Sequence, residues 1–223
     1  VLACTSNDYE IILCADDGCP KTIDVARTML RSHDSFMRIP SMRGPAESRN
    51  IGARVSRGKW VTFLDDDDTF GEQHIARLLD LLPNQSSKVL YFNYKKCVES
   101  RVDGDVALKS SVLRDISNRT SKELLIRNFI PIHAMVCSSE LFFTHKFDAQ
   151  LQSHEDWDFL ISLEASGVQF EWADFGNDSA VVHIDASSAS RNQSSLTALD
   201  YLSIYRKWPV DNVSIKQARS NVL

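Results

Sequence analysis

No stretch of the 223-residue sequence stays apolar for the ~18 positions that a membrane-spanning helix needs. The start of the chain lacks the basic-then-apolar pattern of a secretory leader, so none is expected there. Basic charge is not in excess. Lys and Arg number 25 against 30 Asp and Glu, for a net charge of -5. That balance excludes a general electrostatic pull toward nucleic acid or anionic lipid. Cysteine is sparse and unpatterned: Cys4, Cys14, Cys19, Cys97 and Cys137 are odd in number, scattered, and form no CxxC pair. A disulfide framework and a structural zinc site are therefore not expected, and reduced thiols in a cytosolic protein fit best. There is no internal repeat and no linker long enough to divide the chain. What remains, 43% hydrophobic and 25% charged, is the composition of an ordinary globular domain with a sizeable core.

The most informative stretch is Lys59-Trp60-Val61-Thr62-Phe63-Leu64-Asp65-Asp66-Asp67-Asp68. Residues suited to a buried strand run straight into four carboxylates. Like charges placed side by side repel, so a fold gathers them at a strand end mainly where something positive neutralises them. A hard divalent cation does this, because Mg²⁺, Mn²⁺ and Ca²⁺ prefer carboxylate oxygens. The alternative is a solvated acidic turn that also caps a helix.

Around this stretch the chain alternates. Glu10 to Ala15 reads as a buried strand ending in Asp16-Asp17-Gly18, and Val25 to Leu30 as a helix. Phe36 to Ile39 is a strand, and Gly44 to Val55 a helix closed by Gly58. Strand, helix, strand, helix, strand predicts an α/β fold with mostly parallel strands, whose ligands bind beyond the carboxyl ends of the strands. His74 to Leu82 is then a helix, and Val89 to Tyr94 a strand. Residues 98 to 120 form a polar hairpin or loop excursion. Ser121 to Asn128 is a helix with Ser121 as N-cap, and Ala134 to Cys137 a strand. Glu155 and Asp156 open an amphipathic helix that closes on Gly167, where acids also complement the helix dipole. Strands follow at 170–172 and 180–184. A Ser-rich mobile loop holds Arg191, and a last helix from Leu199 to Trp208 precedes a polar tail.

Four segments stand in order: Asp16-Asp17-Gly18 after a strand, Ser48-Arg49-Asn50-Ile51-Gly52, Phe63-Leu64-Asp65-Asp66-Asp67-Asp68, and Phe147-Asp148 followed by Glu155-Asp156. Together, over about residues 5 to 170, they resemble the family 2 glycosyltransferases of GT-A fold. The resemblance implies a mixed, mostly parallel sheet flanked by helices. Residues 1–95 would be the nucleotide-sugar-binding half and 96–223 the acceptor-binding half of one domain. It implies an inverting, metal-dependent transferase that moves a sugar from a nucleotide donor, a UDP-sugar first, to a glycan or lipid-linked acceptor in surface polysaccharide assembly.

Residue by residue, Asp16 and Asp17 match the receivers of base and ribose, and Arg49 a basic group beside the nucleotide and its diphosphate. The other reading of Arg49 is a salt bridge to a neighbouring acid. Asp65 and Asp67 fall on the metal-binding Asp-x-Asp, for Mn²⁺ or Mg²⁺, with Asp65 and Asp66 also toward the donor and Asp68 an extra ligand or a cap. Asp156, with Glu155, matches the catalytic base. His183 is a candidate third metal ligand. Arg191 is a candidate to close over the diphosphate, and Trp157 either stacks on a sugar or joins the core.

The family pattern usually opens with a further strand and helix that have no counterpart here. A sheet without a substitute is expected to carry an unpaired edge, open to self-association. The Gln-x-x-Arg-Trp motif of processive synthases is also missing, which favours single-sugar transfer. The resemblance implies a cytoplasmic location and leaves room for peripheral association at the inner face of the membrane. Two other classes remain in view. One is a non-catalytic nucleotide- or sugar-binding remnant of the fold. The other is a metal-dependent phosphoryl or nucleotidyl enzyme, which would explain Asp65 to Asp68 but not Glu155-Asp156.

Overall fold

The computed structural model describes residues 6–16, 19–39, 44–82, 85, 88–102, 105–151, 153–176, 179–186 and 197–223. The first unit is a parallel pair, β1 (Ile12–Ala15) on β2 (Ser35–Arg38), joined by α1 (Pro20–Met29). Pro20 suits the first turn of α1, where its missing N–H removes no helical hydrogen bond. One side chain closes this unit. The fully buried carboxylate of Asp34 accepts from the Ile11 N–H at 2.8 Å, the Arg31 N–H at 2.9 Å and the Arg31 guanidinium at 2.9 Å. These donors, the Arg31 side chain first, hold its pKa well below the usual carboxylate range.

Helix α2 (Gly44–Val55) follows and packs on β1. Gly52 eases that approach, since a Cβ there would stand a tight 3.3 Å from Cys14 Sγ. Asn50, also of α2, clamps a distant loop: its Nδ2 donates to the Phe147 carbonyl and its Oδ1 accepts from the Phe147 N–H, both at 2.8 Å. The Arg-Asn-x-Gly and Phe-Asp segments are thus joined by one amide side chain.

The core lies around a four-stranded sheet ordered β3 (Trp60–Thr62), β8 (Met135–Ser138), β5 (Val89–Tyr91), β9 (Phe170–Trp172). β5 is buried on both faces, which is why it reads as a continuous apolar run. Val89 and Tyr91 face a cluster with Trp157, Phe159 and Leu160, from α4 (Glu155–Ala165). Leu90 faces the opposite cluster, with Ile75 and Leu78 of α3 (His74–Leu81) and Phe175. A second sheet is ordered β4 (Thr69–Phe70), β10 (Ala180–Asp185), β6 (Tyr94–Val102), β7 (Asp105–Arg114).

The α/β architecture with helices on both faces of a mixed sheet is as expected. Its antiparallel share is larger than the strand–helix alternation suggests, because β8 runs against both β3 and β5, and β4 against β10. The predicted 89–94 strand is broken at Phe92-Asn93 and changes sheets there. Residues 94–102 and 105–114 pair as two long antiparallel strands with an irregularity at Val98/Glu99. The segment after Thr120 is a 3₁₀ turn, Ser121–Leu125, capped by Thr120 and Glu123 rather than by Ser121. The expected polar tail contains a helix, α6 (Val213–Val222), started by Asn212, whose Oδ1 accepts from the Ile215 N–H. It follows α5 (Thr197–Lys207). Most of the predicted Ser-rich loop, with Arg191, lies outside the described residues. Among the described residues no helix is long and apolar enough to cross a membrane.

Candidate active site

Strand β3 is pinned at the sheet edge by its ladder to β8 and by Thr62 Oγ1, which donates to the Met135 carbonyl at 2.8 Å. The chain then turns through Asp65 to Asp68, with the Asp68 N–H donating to the Asp65 carbonyl at 3.2 Å. This turn sorts the four acids. Asp66 and Asp67 are exposed at its tip, while Asp65 and Asp68 face back toward the protein.

Asp68 enters a nearly closed environment, its side chain 7% exposed. Its Oδ1 accepts from the His183 backbone N–H at 2.8 Å, and its Oδ2 stands 3.1 Å from His133 Nδ1. Burial, with help from the Asp67 and Asp65 charges, pushes its pKa up to about 6. His133 is buried on the 3₁₀ turn Ile132–Ala134 that leads into β8, and neither ring nitrogen makes a hydrogen bond. Burial pulls its pKa down to about 4, against the raising effect of Asp65 and Asp67. Its ring is therefore neutral near pH 7. Donor atoms of Asp65, Asp68 and His133 all lie within 4.8 Å of one another. Two carboxylates and a neutral imidazole, which has one unprotonated nitrogen, are a donor set that fits a divalent cation.

Arg49 of α2 reaches into the same place. Its Nη2 donates to both Asp65 oxygens, at 2.8 and 3.0 Å, and its Nη1 to Glu155 Oε1 at 2.6 Å. The guanidinium is buried and joins the turn after β3 to the first turn of α4, 90 residues later. The salt-bridge reading of Arg49 is thus what the structure displays.

The chain enters α4 through His154, whose backbone is left-handed (φ 61°), a conformation that costs a non-glycine residue free energy. Asp156 comes next but one. Its Oδ2 accepts from Asn128 Nδ2 at 3.0 Å and its Oδ1 from the Trp157 N–H at 2.7 Å. Burial and the neighbouring Glu155 charge raise its pKa, while Arg49 opposes them. Trp157 is core, fully buried with Nε1 donating to the Leu124 carbonyl, so it has no free face for a sugar. The third acid of this turn, Asp158, points away, accepting from Lys207 Nζ at 2.9 Å and Trp208 Nε1 at 2.7 Å.

The structure therefore brings together Arg49, Asp65, Glu155 and Asp156, with Asp68 beside them. Asp16 stands half-buried directly after β1, and Asp17 lies outside the described residues. His183 is held elsewhere: its Nδ1 meets Glu99 Oε1 at 2.6 Å and its Nε2 meets Thr69 Oγ1 at 2.9 Å. Both its ring nitrogens are thus engaged while its backbone N–H binds Asp68, and the imidazole whose donor atom groups with Asp65 and Asp68 is that of His133. The sequence marked His133 weakly. It stands alone before a buried strand, and only strand register puts it next to Asp65. A cavity of about 690 Å³ between α2 and the end of α5, lined in part by Arg54, Phe147 and Trp208, contains none of these grouped acids.

Residues 1–148 match the model of the family described as "Glycosyl transferase family 2". An uncharacterized glycosyltransferase of Haemophilus influenzae is 28% identical over 160 residues, 71% of this chain and 53% of that protein. The Escherichia coli protein named UDP-Glc:alpha-D-GlcNAc-diphosphoundecaprenol beta-1,3-glucosyltransferase WfaP is 26% identical over 93 residues, 42% of this chain and 37% of that one. The chain thus spans about half the length, or less, of these relatives. The crystal structure of Staphylococcus aureus TarS 1-349 in complex with UDP-GlcNAc superposes with a TM-score of 0.68 at 14% identity, covering 99% of this chain and 64% of that one. That likeness shows a shared fold, the GT-A fold that the motifs imply.

Proposed function

This chain belongs to glycosyltransferase family 2, and on that premise we propose that it transfers a sugar from a nucleoside diphosphate donor to an acceptor hydroxyl, with inversion at the anomeric carbon. The donor is a UDP-sugar and the acceptor a glycan or lipid-linked sugar. The E. coli relative, named for UDP-glucose and a diphosphoundecaprenol acceptor, supports both assignments. Residues 1–95 receive the nucleotide, Asp16 and Asp17 accepting from base and ribose, with Asp66 on the donor side of the rim. Residues 96–223 receive the acceptor at the cytoplasmic face of a membrane.

The observation that carries this reading is the Arg49 bridge. One buried cation ties Asp65, on the donor side, to Glu155, which neighbours the base. The distance between the two chemical jobs is thereby fixed before substrate arrives, which is how positioning contributes to rate.

Asp156 takes the proton from the acceptor hydroxyl as that oxygen bonds to the anomeric carbon. The bond from this carbon to the diphosphate oxygen breaks, and the electron pair leaves with the diphosphate. The raised pKa of Asp156 makes it a stronger base than an ordinary aspartate, and the Asn128 amide and Trp157 N–H hold its two oxygens in place. Mn²⁺ or Mg²⁺ bound among the acids after β3 would neutralise charge on the departing diphosphate as a Lewis acid.

Isothermal titration with UDP and GDP, each with and without Mn²⁺, tests the donor side. Asp156→Asn tests the base: transfer should fall by ~10²–10⁴-fold with UDP affinity retained. The acid limb of kcat/KM against pH should lie above the ~3.9 of a free aspartate. Metal-independent or absent nucleotide binding, or an Asp156→Asn variant with wild-type transfer, overturns the reading.

A further inference from the structure

We propose that the outer edge of β7 is the interface of a two-fold dimer. It pairs antiparallel with β7 of a second copy and joins the two four-stranded sheets into one of eight strands. The inference concerns assembly and does not rest on the transferase reading.

β7 closes its sheet, which is ordered β4, β10, β6, β7, and among the described residues nothing pairs with its outer edge. The strand runs for ten residues, and residues 106–114 are all exposed. Four of them are large and apolar: Val106 at 59%, Leu108 at 61%, and Val112 and Leu113 at 46% each. A long, exposed, apolar edge offers a row of backbone donors and acceptors to another strand.

The register identifies the occupant. A two-fold axis through an antiparallel joint stands perpendicular to the sheet, so residues that meet across it come from the same face of the strand. In a regular strand Val106 and Leu113, an odd number of positions apart, lie on opposite faces. β7 is not regular. Leu108 pairs with Glu99 of β6 and Ser110 with Val98, so Lys109 is one extra residue, a bulge. Beyond it the alternation is shifted by one. Val106, Leu108, Ser111 and Leu113 therefore share one face, and Ala107, Ser110, Val112 and Arg114 share the other. Cys97, which pairs with Ser111, donates from Sγ to Ser111 Oγ at 3.4 Å on the first of these faces.

With bulge set against bulge, Val106 meets Leu113 of the second copy, Ala107 meets Val112, Leu108 meets Ser111, and Lys109 meets Ser110. Arg114 comes opposite Asp105, the one acid in the sequence of the strand. Each pairing occurs twice about the axis, and apolar and opposite-charge pairs across strands both stabilise a sheet. A bulge and a mid-strand lysine commonly keep edges apart. Here they select this register. A slip of one residue sets Lys109 against Lys109 and brings residues from opposite faces together.

Sedimentation velocity of the whole chain over micromolar concentrations should show a monomer–dimer equilibrium. Amide hydrogen exchange of the wild-type protein, read below and above that midpoint, should slow at alternate β7 amides in the dimer and change little in β6. Leu113→Glu and Val106→Lys should each weaken the dimer by about tenfold, since each removes an apolar pair twice. Both side chains are exposed in the monomer, so each variant should keep the wild-type Tm. The double variant should return to within about threefold of wild-type affinity, because the new acid and the new base meet across the joint. Within one chain the two positions stand about 20 Å apart along the strand, too far to pair, so rescue reports contact between copies. A monomer at every concentration overturns the proposal. So does a dimer whose β7 amides exchange as they do in the monomer, or a double variant that dimerises no more tightly than the single ones.

Discussion

At the scale of single residues, the motif positions divide into those that do chemistry and those that hold the others. Asn50 and Gly52 belong to the second group, one clamping the Phe147 backbone and the other letting α2 approach β1. Residue type alone does not reveal such a role, because an amide serves a ligand or a backbone equally well. Asp34 is a purely structural acid that no motif marks. Asp34→Ala strands the Ile11 and Arg31 donors and should cost about 3 kcal/mol in urea denaturation. Its folded pKa lies below its unfolded one. Its contribution is therefore complete above about pH 4 and lost as pH falls further through the folded value. Thermal melts of wild type and variant should converge at low pH. A constant gap between them would contradict the assignment.

Elements decide which residues meet. β3 and β8 are antiparallel, with Thr62 opposite Val136. Carrying that register on by three residues sets His133 level with Asp65. The sequence shows both residues but not the pairing, since register depends on which strands become neighbours. Helix α4 makes a comparable division. Glu155 and Asp156 face the site, whereas Asp158, two residues on, turns to the α5 end and binds Lys207 and Trp208. The helical period predicts such a parting of the acids, but not the partner. Asp158→Ala leaves the Trp208 N–H unpaired and half-releases Lys207, which Asp148 still holds at 2.6 Å. Its expected cost is about 2–3 kcal/mol. Asp158→Asn, which keeps an acceptor for Trp208, should cost less. Equal losses for the two variants would show that the charge, not the hydrogen bond, anchors α5.

For the molecule as a whole, stability should be distributed as burial is. β5 and β8 lie between two apolar clusters, whereas α6 buries only Arg219 and leaves Val213 78% exposed. Native-state hydrogen exchange should find the slowest amides in β5 and β8 and the fastest helical amides in α6. Slow exchange throughout α6 would show that it docks more firmly than its contacts indicate. The sequence by itself determined the family, the α/β class and the two acidic segments. Those depend on local pattern: apolar runs of strand length, turn residues, and carboxylates at strand and helix ends. Tertiary structure alone decided that Arg49 bridges Asp65 and Glu155. It also turned Asp66 and Asp67 outward, spent His183 on Glu99 and Thr69, and placed His133 beside the acids. Each of these is a contact between segments distant in the chain or the outcome of a turn geometry. Four consecutive aspartates are alike in sequence, and only the fold gives them different neighbours.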